Sequence, residues 1–178
     1  MFLDYLARLQ RGSPSAAKKT DANDFEFDKK LNAELTKTKV EVAGKNYAAI
    51  LVKPHSYVNA TGVVAAKLKT HFKVKPEDFI IAQDDLDIPF GNVKLFFEKN
   101  SGGHRGIESV IKALKTNKFW RIRFGTANVA VKKAHQQSEK KKDELIRNFV
   151  LAKFTPKERE DLKSLFKSAL ERLAQKTN

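Results

Sequence analysis

Asp84, Asp85 and Asp87 crowd into the stretch IIAQDDLDIPFG, in a chain whose formal net charge is +14. Carboxylates so placed suit three kinds of work. They can form a solvated turn, since Asp favours turns and Pro89 and Gly91 follow. They can offer oxygens to a magnesium ion, although successive residues leaving a strand point in different directions and no second acidic cluster stands nearby. Or one of them can hold a histidine in a single tautomer and stabilise its charged form, so that the imidazole activates water. Other polar candidates surround this knot. Asn59, in KPHSYVNATG, has an amide that both donates and accepts, and its place just before a predicted helix equally suits an N-cap. NSGGHRGIES presents backbone N–H groups at a helix start, a setting for phosphate or an oxyanion. His104 lies in it, and a solvent-exposed turn histidine is the plainer reading. Arg121 and Arg123 fall on one face of a strand, as an exposed sheet face would also arrange them.

Hydrophobic spacing outlines the elements that must position these residues. With 178 residues, 41% of them hydrophobic, the chain can form one domain with its own core. Its 35 Lys and Arg against 21 Asp and Glu create a field that attracts polyanions, nucleic acid first and membrane surface second. No run reaches the length of a bilayer span, and the first ten residues carry Asp4, Arg8 and Gln10 instead of a signal-peptide apolar stretch. The absence of Cys excludes disulfides, thiolate zinc sites and a cysteine nucleophile.

Phe2, Tyr5, Leu6 and Leu9 have helical spacing, and a breaker-rich loop follows from Arg11 to Asp24. Two strands over about 33–42 and 46–53, joined at Ala43-Gly44-Lys45, read as a hairpin. Val64, Leu68 and Phe72 mark a surface helix from Thr61. The apolar run FIIA, residues 79–82, is expected as a strand buried on both faces with the acidic knot beyond its end. A strand is expected at Val93–Phe97, a helix carrying Ile107, Val110, Ile111 and Leu114, and a strand at 119–125. Residues 131–142 read as a charged mobile crossover. Thr155, Pro156 and Glu158 form a capping box that opens a last helix with a stripe of Leu162, Leu165, Phe166, Ala169, Leu170 and Leu173. Alternating strands and helices with one hairpin make an α/β domain with a mixed sheet.

Taken in order, KPHSYVNATG, AQDDLDIPFGNVK, NSGGHRGIESVIKALKT, FWRIRFG and FVLAKF resemble the bacterial-type peptidyl-tRNA hydrolases, from about Lys53 to Phe154. The resemblance implies a single α/β domain over residues 1–178, with a mixed, twisted sheet flanked by helices. It implies a monomer without metal or cofactor that cleaves the ester between a peptide and the terminal ribose of tRNA, working in the bacterial cytoplasm or an organelle matrix and not on a membrane. By that resemblance Asp84 holds and polarises the catalytic histidine. Asn59 positions peptide and attacking water, with Tyr57, His104 and Arg105 also in contact with substrate, and Arg123 grips tRNA phosphate, with Lys94 as the substitute for a second phosphate-binding Lys.

The match has departures. Gln83 stands where the family usually has His, Arg105 where it has Asn, and Phe96 where a second phosphate-binding Lys is expected. Family members also begin with an apolar strand, a Gly-Asn-Pro-Gly loop and a Thr-Arg-His-Asn segment that carries the catalytic histidine, whereas MFLDYLARLQ resembles the helix after that segment. His55, His71, His104 and His135 all lie elsewhere in the motif order. The resemblance therefore implies an N-terminally truncated domain, lacking its first strand, weakly stable alone and with little or no turnover. The alternative is a non-catalytic, RNA-binding relative associated with a ribonucleoprotein.

Overall fold

A computed structural model describes residues 1–9, 25–128, 131, 134 and 136–176. They gather into two compact units interleaved along the chain, the first from Met1–Ile81 and Phe97–Trp120, the second from Ala82–Phe96 and Arg121–Lys176.

In the first unit, helix α1 (Phe2–Leu9) buries Phe2, Leu6 and Ala7, while Leu9 at the end of the expected stripe is exposed. Strands β1 (Glu26–Asp28), β2 (Ala33–Val42) and β3 (Lys45–Pro54) form an antiparallel sheet in that order. The hairpin lies where the alternation placed it, pairing Val42 with Lys45 across a two-residue turn. Both turn residues are left-handed, Ala43 at φ 51° and Gly44 at φ 75°, as the right-handed twist of a tight hairpin requires. Strand β1 was not anticipated, because three residues carry too little periodicity to register.

A 3-10 turn at Val58–Ala60 leads into α2 (Thr61–Phe72), and α3 spans Arg105–Leu114. Ile107, Val110 and Leu114 of α3 pack with Ala65 of α2 and Phe119, while Val64 and Leu68 of α2 pack with Leu31 and Ala33. The apolar stripes read from the sequence are thus the faces that the two helices bury.

A second sheet consists of β4 (Ile80–Pro89), β5 (Val93–Phe97) and β6 (Trp120–Ala127), in the order β4-β6-β5, and most of its residues belong to the second unit. Hydrogen bonds from Trp120 to Phe79 and from Phe90 to Ala127 advance together along β4 and β6, as in parallel strands. Gly125 bonds to Asn92 and the Phe97 ring lies 5.0 Å from that of Trp120, so β5 runs antiparallel and the sheet is mixed.

Two expectations fail on β4. Ile80 and Ala82 are exposed, so the run is not buried on both faces, and among the described residues β4 lies at the edge of its sheet. It also runs through the acidic residues to Pro89, so the knot is part of the strand, neither a turn nor a loop beyond it. Charged residues are at home on such an edge, where one side chain in two faces water.

Helix α4 covers Glu139–Leu151, so the last residues of the expected crossover are a helical turn. Residues 132, 133 and 135 of that segment, with the whole loop Arg11 to Asp24, lie outside the described residues. Helix α5 (Pro156–Lys176) starts at the anticipated capping box: Thr155 N donates to Glu158 Oε2 at 2.8 Å and Glu158 N to Thr155 Oγ1 at 3.2 Å. Its Leu162, Leu165, Phe166, Ala169 and Leu173 are buried, Phe166 edge-on to Phe124 of β6. Among the described residues no helix is long and apolar enough to cross a membrane.

Candidate functional site

The turn carrying Asn59 and the helix start carrying His104 meet inside the first unit, and two glycines let them do so. A Cβ on Gly62 would collide with the backbone carbonyl of Ser109, and one on Gly106 would sit 2.8 Å from Val58 Cγ1. Gly62 N also donates to Ser109 Oγ at 3.0 Å. The start of α2 and the first turns of α3 are thereby locked backbone to backbone, a closeness only glycine permits.

On that platform Tyr57 stands 88% exposed and Asn59 is exposed beside it. The N-cap of α2 is Ala60, with no side-chain cap. Asn59 is therefore not committed to capping, the plain alternative for it in the sequence, and its amide faces solvent. An open hollow of about 400 Å³ lined by Pro54, His55, Ser56 and Tyr57 adjoins the turn.

His104 is a half-buried helix cap and not a free turn histidine. Its Nδ1 accepts hydrogen bonds from Gly106 N at 3.1 Å and Ile107 N at 3.3 Å, so the neutral ring carries its proton on Nε2. Left-handed glycines at 102 and 103 (φ 63° and 81°) bring the chain into this cap. Arg105 is exposed at the first helical position. Two other histidines belong to this unit: His55 Nε2 lies 2.7 Å from Glu34 Oε1, and His71 stands edge-on to Phe72. His135 lies outside the described residues.

Asp84, Lys94 and Arg123 belong to the second unit. Strand alternation puts Asp84 on one face of β4 and Gln83, Asp85 and Asp87 on the other. Asp84 is exposed, whereas Asp85 is only 7% exposed. The Asp85 carboxylate takes an N–H from Asp87 at 3.0 Å through Oδ1 and pairs through Oδ2 with Arg123 Nε. The Arg123 guanidinium lies 5.4 Å from the centre of the Phe96 ring. Lys94, two residues before Phe96 on the same face of β5, is exposed.

Arg121 departs most from its reading. It is 1% exposed, not part of a solvated sheet face. Burial above all, then the like charge of Arg123, presses its guanidinium below the ordinary value, while Asp85 acts in the opposite sense. It remains a cation at neutral pH, which gives Asp85 a second positive charge to balance.

The knot is thus divided in its duties, a division sequence reading did not reach. Asp85 and its partner Arg123 are 38 residues apart, and no local signal joins them. The one usable clue was alternation, which sends adjacent strand residues to opposite faces.

The α/β architecture, with a mixed sheet, fits the family whose ordered motifs the sequence carries. A family model described as Peptidyl-tRNA hydrolase matches residues 1–178, and the chain belongs to that family. It is 36% identical over 132 residues to a peptidyl-tRNA hydrolase of Aquifex aeolicus, covering 74% of this chain and 62% of that protein. It is 28% identical over 159 residues to one of Chlamydia caviae, covering 89% and 75%. The crystal structure of peptidyl-tRNA hydrolase from Acinetobacter baumannii matches with a TM-score of 0.72 at 21% identity, covering 99% of this chain and 78% of that one, a likeness of fold. The chain spans 62% of the Aquifex relative and 54% of one from Sulfurihydrogenibium.

Proposed function

We propose that the protein is of the lineage that hydrolyses the ester joining a peptide to tRNA, in the cytoplasm and as a monomer, with Asp84 orienting the histidine that the family carries in its Thr-Arg-His-Asn segment. The observation that carries this reading is the exposed Asp84 of β4, set on the opposite face from the Asp85–Arg123 pair. An exposed carboxylate on that face can polarise a histidine, whose imidazole then takes a proton from water as the water attacks the ester carbonyl. The role of base is not given to His55, His71 or His104, which stand at Glu34, Phe72 and the α3 cap.

In this reading the exposed Asn59 amide holds the attacking water and the peptide backbone, since it can donate to a carbonyl and accept from an N–H at once. Tyr57 offers an aromatic face beside it. His104, with Nε2–H as donor, and Arg105 complete the substrate contacts, and Arg123 and Lys94 take tRNA phosphate. Whichever backbone amides face the tetrahedral oxyanion would stabilise it.

The test is release of the blocked amino acid from an N-acetyl-aminoacyl-tRNA. Asp84→Asn is expected to lower kcat about 100-fold, in the range of general base catalysis, with tRNA binding retained. The comparison is made in a chain that also carries the family's histidine segment: an unchanged rate there removes Asp84 from the mechanism, and tRNA binding without hydrolysis by that chain would leave an RNA-binding role only.

A further inference from the structure

The strands β4 and β5 both contribute to a fixture around Arg123 of β6. From β4, the largely buried Asp85 holds Nε, and Asp85 is itself held by the Asp87 N–H at 3.0 Å. From β5, the Phe96 ring lies 5.4 Å from the guanidinium carbon. Asp87 of β4, with its side chain 74% exposed, stands 4.0 Å from Nη2. Arginine suits such a fixture because its planar fork can be held through Nε while the Nη edge stays available, which a lysine cannot reproduce.

We propose that Asp85 is a positioning residue for phosphate recognition by Arg123, and that Asp87 competes with the phosphate for the same guanidinium. The proposal rests on the reading that Arg123 contacts tRNA. A guanidinium already fixed by Asp85 and Phe96 loses little side-chain freedom when phosphate arrives, so more of the contact energy is retained. The Asp87 side chain is exposed and stands 4.0 Å from Nη2, beyond hydrogen-bond reach, so an incoming phosphate can displace it.

The sign of one effect separates positioning from simple charge. Asp85→Asn adds a net positive charge, so long-range electrostatics alone predicts tighter binding of a polyanion. Positioning predicts weaker binding.

The experiment measures the Kd of deacylated tRNA by fluorescence anisotropy at several salt concentrations. Arg123→Ala is expected to weaken binding about tenfold and to lower the salt slope by about one. Asp85→Asn is expected to weaken it about fivefold, and to add less than about twofold on the Arg123→Ala background. Asp87→Asn is expected to tighten it about twofold.

If Arg123→Ala leaves binding unchanged, the underlying reading of Arg123 falls. If Arg123→Ala weakens binding but Asp85→Asn leaves it unchanged or tighter, the positioning role alone falls. An equal loss from Asp85→Asn on both backgrounds would reveal general damage to the sheet and also overturns the role. Because Asp85 lies beside two arginines and its loss can unfold the unit, Arg123→Lys is the second variant. It should bind as weakly as Arg123→Ala, and wild-type affinity would overturn the proposal.

Discussion

At the scale of single residues, the candidate substrate platform depends on side chains that are absent as much as on those present. Gly62 and Gly106 have no polar atoms to offer a ligand, yet they let the Asn59 turn lie against the His104 helix start. Gly62→Ala is expected to cost about 3 kcal/mol, because the new methyl meets a backbone carbonyl that cannot yield as a flexible side chain would. A chemical-denaturation midpoint checks it, and a loss below about 0.5 kcal/mol would mean that α2 and α3 are not locked there. Asn59 and His104 of the first unit, and Asp84 of the second, stood out in the sequence as candidates because of their type and setting. Asp85 and Phe96 were not, since each matters through a partner on another strand.

At the scale of elements, amphipathic spacing located α2, α3 and α5 well, because a helix that buries one face must repeat its apolar residues every three or four positions. Strands were less faithful. β4 has ten residues against four in the apolar run FIIA, since a strand needs no apolar residue on a wet face. The hairpin carries a local misfit of its own: Ala43 holds φ 51°, a conformation that costs an L-residue with a Cβ about 1 kcal/mol. Ala43→Gly or Ala43→Asn should therefore raise stability by about 0.5 kcal/mol, read as a higher urea midpoint with an unchanged m-value. A lower midpoint would count against the two-residue turn.

At the scale of the whole molecule, a charge of +14 is consistent with a polyanionic partner, while the few fixed carboxylates shape local stability. Asp4 joins α1 to β3 through Lys53 and also meets the Met1 amino group. Partial burial would raise its pKa, but the hydrogen bonds from Lys53 and Met1 and their positive charges outweigh it and bring it from 3.8 to about 2. A depressed pKa means that the carboxylate stabilises the fold above its unfolded value and loses that contribution as pH falls through the folded one. The stability gap between the protein and Asp4→Asn should be full above about pH 4 and close toward pH 2. Because the site is partly exposed, the gap is at most about 1 kcal/mol. A gap that does not vary with pH would remove the ion pair from the balance.

The α/β class, the helix faces, the hairpin position, the capping box and the family were set by the sequence alone. Periodicity, turn chemistry and ordered motifs act over short distances along the chain, where neighbours in sequence are neighbours in space. Tertiary structure alone decided that Asn59 is not a cap, that His104 is one, and that Arg121 is buried. It also decided that adjacent carboxylates part company, Asp84 to solvent and Asp85 to Arg123. Those outcomes depend on which strands lie side by side and which backbone segments approach closely, and pairing across dozens of residues leaves no mark in local composition.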